Sequence, residues 1–164
     1  MNITEKILAR ASGKTTVSPD DVIFAKVDKV MVHDVSGPGV MKVFDKLQKQ
    51  GIDTSKLHDS SKVWIAEDHF VPSAEKVSAE NIVKLSNFSK KYDIKKHFKY
   101  GMGQYGICHT LSHEEALVNP GEVYVGGDSH TNTTGALGAF PCGLGHTDVA
   151  YVLLNGEIWF KVPE

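Results

Sequence analysis

Short apolar runs alternating with stretches of helical periodicity narrow what this chain can fold into more than any other feature. "KVWIAEDH" and "EVYVG" are strands whose interiors are apolar on successive residues, so both of their faces need cover. Val22 to His33, "VIFAKVDKVMVH", reads as a further β-branched strand, Phe98 lies in a short one, and "EIWFKV" closes the chain as another. Between them, Ile3 to Ala11 repeats apolar residues at Ile3, Ile7, Leu8 and Ala11. Val40 to Lys49 repeats them at Val40, Val43, Phe44 and Leu47 and stops at Gly51. Ala79 to Tyr92, with Ser78 as the expected cap, shows the same spacing at Ile82, Leu85 and Phe88. Ser112 followed by Glu115 has the form of a capping box, and "HTDVAYVLL" is helical. Strands alternating with helices of this length predict an α/β domain: three layers, α/β/α, around a mostly parallel sheet. The 164 residues suffice for one domain with a sizeable core, and no repeat or linker divides them.

Composition excludes several partners. A formal net charge of −2 gives no footing for nucleic acid or an anionic membrane surface. No apolar run approaches the length of a membrane span, and "MNITEKILAR" lacks the layout of a signal peptide. The two cysteines, Cys108 and Cys142, form no pattern and fit a reducing, cytoplasmic setting.

The polar residues cluster where strands end. His33-Asp34 closes one strand pattern and Asp68-His69 the next. His109 follows the glycine-rich turn "GMGQYGICH", and Asp128-Ser129-His130 follows "VYVGG". In open α/β sheets, ligands bind outside the carboxyl ends of the strands, which is where these residues fall. An imidazole oriented by a carboxylate suits proton transfer near neutral pH. His58, His97, His113 and His146 lie in polar or helical contexts and read as structural. Eleven of the 15 glycines fall between Gly101 and Gly156, which implies close backbone approach around this second half.

These residues carry a resemblance. "GGDSHTNTTGALGAF" is similar to the signature of the aconitase superfamily, in particular its dehydratase large subunits of the 3-isopropylmalate and homoaconitase type. "EKILARASG", "DKVMVHDVSGP", "EDHFVPS", "GICHTLSHEEALVNPGEVYVGGDSHT" and "NGEIWFKVPE" resemble other family segments in the same order. The resemblance implies a hydro-lyase that moves a hydroxyl between adjacent carbons of a hydroxy di- or tricarboxylate, with a [4Fe–4S] cluster as Lewis acid. Carried over, it makes His69, oriented by Asp68, the acid for the departing hydroxyl, and pairs His109 with Asp128. His130 becomes a further catalytic imidazole without an identified carboxylate partner. His33 and Ser129 contact substrate, Ser129 with help from the amides that follow it. The glycine-rich tail would let backbone approach the cluster and the substrate.

The chain also departs from the family. Neither Cys108 nor Cys142 stands at a cluster-ligand position, so no metal ligand is assigned here and this chain alone is not expected to hold the cluster. Residues 1–164 are therefore read as the amino-terminal domain of a longer large subunit, inactive by itself and prone to self-association. Its partners would be the remaining large-subunit domains and a small swivelling subunit. Two alternatives stay open: a non-catalytic assembly module, and a mononuclear metal hydrolase built from His69, His109, His130 and Asp128.

Overall fold

The computed structural model describes residues 1–164. Its centre is a parallel sheet of five strands in the order β4-β3-β2-β5-β6. These are β2 (Lys29–His33), β3 (Val63–Ala66), β4 (Lys96–Phe98), β5 (Val123–Gly126) and β6 (Phe140–Gly143). Their side chains alternate between two cores. Val30, Val32, Val63, Ile65, Val123 and Val125 belong to the larger core. It is shared with α1 (Ile3–Ser12), α2 (Ser36–Lys49), α3 (Lys76–Lys91) and α5 (His146–Asn155). Met31, Trp64, Ala66 and Tyr124 point the other way, onto Cys108 and Leu111 of α4 (Cys108–Glu114) and onto Leu117 and Val118. The predicted three-layer α/β/α arrangement is thus present, with one thick helical layer and one thin one. No helix is long and apolar enough to cross a membrane.

Register decides where the polar residues emerge. Within β2, Val30 lies beside both Val63 and Val125, and His33 lies beside Ala66. Because all three strands run the same way, their carboxyl ends finish at one edge of the sheet. Residues 33–34, 67–69 and 127–130 leave the sheet together there.

Several boundaries differ from the sequence reading. Val22–His33 is two strands in two sheets: β1 (Val22–Lys26) pairs antiparallel with β7 (Glu157–Lys161), and only β2 joins the parallel sheet. The chain turns between them because the Asp28 carboxylate takes the Val123 amide at 2.9 Å and the Arg10 guanidinium at 2.6 Å. Helix α3 starts at Lys76 instead of behind Ser78. Its first turn is exposed, Val77 included, so no apolar spacing marked it. Ser112 lies inside α4, where its hydroxyl donates back to the His109 carbonyl at 2.6 Å, and Glu115 follows that helix. Strand β6 carries no alternating or continuous apolar signal in the sequence. Its "FPCG" sequence is tolerated because it is an edge strand paired only with β5.

Leu85 is fully buried where α3 meets α2, and its Cδ1 would stand 2.6 Å from a Cβ placed on Gly37. Leu85→Ala is expected to cost about 2–5 kcal/mol of stability, read from urea unfolding of the chain.

Candidate active site

Asp128 is the meeting point. As the residue that caps the 3-10 segment 129–137, it accepts the His130 amide on Oδ1 at 2.6 Å. The same oxygen receives His109 Nε2 at 2.8 Å. Its Oδ2 faces His33 Nε2 at 3.5 Å and His69 Nε2 at 3.6 Å, and His130 Nδ1 stands 3.4 Å from Oδ1. Four imidazoles from four separate segments therefore converge on one carboxylate. Burial pushes the Asp128 acid up, but the His130 amide and His109 outweigh it and hold the group below its usual range.

Each histidine has its own anchor. His33, at the end of β2, is buried, and its Nδ1 accepts the amides of Val35 and Ser36 at 3.0 and 3.3 Å. The neutral ring therefore carries its proton on Nε2, the atom turned toward Asp128. Burial, followed by the charge of His69, lowers its pKa and keeps it neutral. His69 stacks on His33 with ring centroids 4.4 Å apart. Its Nδ1 meets Asp68 Oδ1 at 2.8 Å, which leaves Nε2 facing Asp128. The second oxygen of Asp68 accepts the Cys108 amide at 2.6 Å. Burial opposes the ionised Asp68, yet these hydrogen bonds depress its pKa. His109 sits in the first turn of α4, and its Nδ1 is buried without a partner.

The sequence did not disclose what Asp34 does. It is completely buried, and its carboxylate accepts the amides of His69 at 3.1 Å and Phe70 at 2.7 Å. It thereby fixes the loop that presents His69. The pair His33-Asp34 was visible in the sequence, but not the distant backbone that Asp34 holds. His97 also has more than a passive setting, since its Nε2 pairs with buried Glu67 at 2.9 Å.

Two expectations change. The carboxylate that His130 lacked is Asp128 itself. The amides of His130 and Thr131, expected to help Ser129 bind substrate, are committed to Asp128, at 2.6 and 3.3 Å. Ser129 itself is exposed, with Oγ 3.5 Å from His130 Nδ1. The glycines likewise let chain approach chain. A Cβ on Gly127 would stand 2.5 Å from Ser36, and one on Gly143 would run into the Asp128 carbonyl.

A family model described as the aconitase family (aconitate hydratase) matches residues 5–164. The chain belongs to the aconitase family. It is 46% identical over 164 residues to a 3-isopropylmalate dehydratase large subunit of Caldicellulosiruptor saccharolyticus, covering this whole chain and 37% of that protein. The large subunits of Aquifex aeolicus and Thermodesulfovibrio yellowstonii are 46% and 44% identical, again over this whole chain and 36% and 37% of their own lengths. The chain thus spans a little over a third of the curated relatives it matches.

The [4Fe–4S] cluster that the resemblance implies does not fit the donors present. Burial pushes both thiols, Cys108 and Cys142, away from the thiolate form. Neither belongs to the two close groups of metal-capable side chains, His33-Asp34-Asp68-His69 and His109-Asp128-His130. A cluster needs several thiolates.

The pKa directions make a titration prediction. NMR of the imidazole protons is expected to place His33 below the ordinary value of about 6.5. The unfolded chain then binds the extra proton, so the stability due to neutral His33 is present above about pH 6.5 and is lost as pH falls. The depressed Asp68 and Asp128 add stability above about pH 4 that is lost on further acidification. Titration of His33 at or above 6.5 would contradict this reading of the site.

Proposed function

We propose that the chain is the amino-terminal part of a hydro-lyase that dehydrates and rehydrates a hydroxy di- or tricarboxylate of the 3-isopropylmalate or homocitrate/homoisocitrate class. The convergence of His33, His69, His109 and His130 on Asp128 carries this reading. Family membership and the name of the relatives support it.

Dehydration breaks a C–O bond, so the departing hydroxyl must receive a proton, and the neighbouring carbon must lose one. His69 suits the first task. Asp68 holds its Nδ1, its Nε2 points into the site, and its side chain is 37% exposed, so substrate has access. His33 suits positioning instead: it stays neutral, and its buried Nε2–H faces Asp128 from beneath the site. Ser129 offers an exposed hydroxyl to a substrate carboxylate. His109, bonded to Asp128, and exposed His130 handle protons on the other side of that carboxylate.

The complete enzyme would take its [4Fe–4S] cluster on thiolates that Cys108 and Cys142 do not supply, and would assemble from further large-subunit domains and a small subunit. The two free thiols support a cytoplasmic setting, and leucine biosynthesis is the pathway in which such a dehydratase works. By itself the chain is then a folded, non-catalytic module whose exposed apolar side chains favour self-association. His109, Asp128 and His130 offer ligand atoms within 4.8 Å of one another, which is the observation behind a mononuclear metal reading. Metal analysis separates the two, since that reading requires about one zinc per chain.

In the full-length, cluster-loaded enzyme, His69→Ala is expected to lower turnover about 10²–10⁴-fold, and near-normal turnover would remove His69 from the acid role. The isolated chain, reconstituted anaerobically with iron and sulfide, is expected to stay colourless and to hydrate neither 2-isopropylmaleate nor cis-homoaconitate. A stable brown protein that turns over either compound would overturn the reading of this chain as a part.

A further inference from the structure

Glu67 and His97 form a buried pair that the proposed chemistry leaves unused. Their side chains are each 4% exposed, and His97 Nε2 lies 2.9 Å from Glu67 Oε1. As a source of stability the pair is poor. With a neutral ring, Nε2–H meets the carboxylate and a net negative charge stays buried. With a protonated ring, Nδ1–H has no acceptor, because that atom is buried without a partner. Apolar residues of similar volume often replace such pairs with no loss of stability, so stability alone does not account for this one.

Its place in the fold shows what it holds. Glu67 follows β3 and directly precedes Asp68 and His69. Its Oε2 accepts the Tyr100 amide at 3.1 Å, and its own amide donates to the Phe98 carbonyl at 3.0 Å. Strand β4 has three residues and is bonded only to β3, so the chain leaving it depends on such tethers. That chain runs on to α4, where Asp68 Oδ2 takes the Cys108 amide at 2.6 Å. Two consecutive carboxylates thus hold the two ends of the segment from Tyr100 to Cys108. Helix α4 has seven residues, no side-chain cap, and His109 in its first turn. A helix this short does not fix its own place. Asp68 also holds His69 Nδ1 at 2.8 Å, and His109 reaches Asp128 at 2.8 Å. Movement of the segment therefore reaches both rings, one through Asp68 and the other through α4.

We propose that Glu67 and His97 are a positioning pair: by fixing the exit of β4 they set where the Asp68 carboxylate and the start of α4 lie, and so aim His69 and His109 at Asp128. The inference rests on the hydro-lyase reading of that site. Neither side chain bonds to Asp128 or to the four rings around it, so their effect runs through the backbone they hold. A displacement of about 1 Å at reacting groups costs up to about 10²-fold in rate.

Two variants test this. Glu67→Gln keeps the shape and removes the charge, and Glu67→Met/His97→Leu replaces the pair with apolar side chains. In the 164-residue chain, NMR is expected to show the imidazole signals of His69 and His109 shifted in both variants. The urea midpoint of the double variant is expected to stay near that of the parent. Leu85→Ala, destabilised in the core, serves as the control and is expected to leave those signals in place. In the full-length, cluster-loaded enzyme, both variants are expected to lower kcat for 2-isopropylmaleate hydration about tenfold or more, with KM within about twofold. Imidazole signals that do not move, or an undiminished kcat, overturn the inference and leave the hydro-lyase reading standing. So does a loss of folding in both variants, or a fall in kcat that Leu85→Ala reproduces, since either marks a merely structural role. A parent enzyme that hydrates neither 2-isopropylmaleate nor cis-homoaconitate overturns the hydro-lyase reading and the inference with it.

Discussion

The carboxylate of Asp128 is the constraint around which the rest of this site is arranged. A mostly buried anion is tolerable only when N–H donors replace the water it has lost. Here they come from the His130 amide and His109, with His33 and His69 close behind. Bringing those donors to one point requires three parallel strands to end at one level. It also requires Gly127 to pass against the Ser36 side chain and Gly143 against the Asp128 backbone. A side chain at either position would push α2 or β6 away from Asp128 and open the cluster.

A second buried carboxylate does quieter work. Asp34 spends its oxygens on backbone amides of the loop after β3, and that loop carries His69. Asp68 continues the chain of restraint by gripping His69 on one side and the start of α4, hence His109, on the other. The imidazoles are therefore held by second partners that are themselves fixed by the sheet. Stacking of His33 on His69 also bears on the charge of the buried ring. Two adjacent imidazolium ions repel, and the more deeply buried ring is the one that stays neutral.

The fold was legible wherever burial imposes a period. Apolar runs at 63–66 and 123–125 marked strands covered on both faces, and Ile82, Leu85 and Phe88 marked the inner face of α3. Legibility failed where a tertiary partner, instead of a period, sets the boundary. Asp28 splits what reads as one strand because its partners, Arg10 and Val123, are far away in the chain. The exposed first turn of α3 and the edge strand β6 carry no periodic signal at all. Ser112 has the spacing of a cap, but its hydroxyl turns to a carbonyl within its own helix.

By itself, the sequence determined the α/β class, the family and the set of polar residues gathered at the strand ends. Local periodicity and short motifs are written along the chain and need no partner to be read. Only the tertiary structure decided that Asp128 serves four histidines at once, that Asp34 clamps the His69 loop, and that the glycines admit a neighbouring side chain or backbone. Apart from His130, which nearly adjoins Asp128, these contacts join residues from 15 positions apart (Gly143 and Asp128) to 95 (His33 and Asp128), a separation set by strand register and layer packing and invisible to any local pattern.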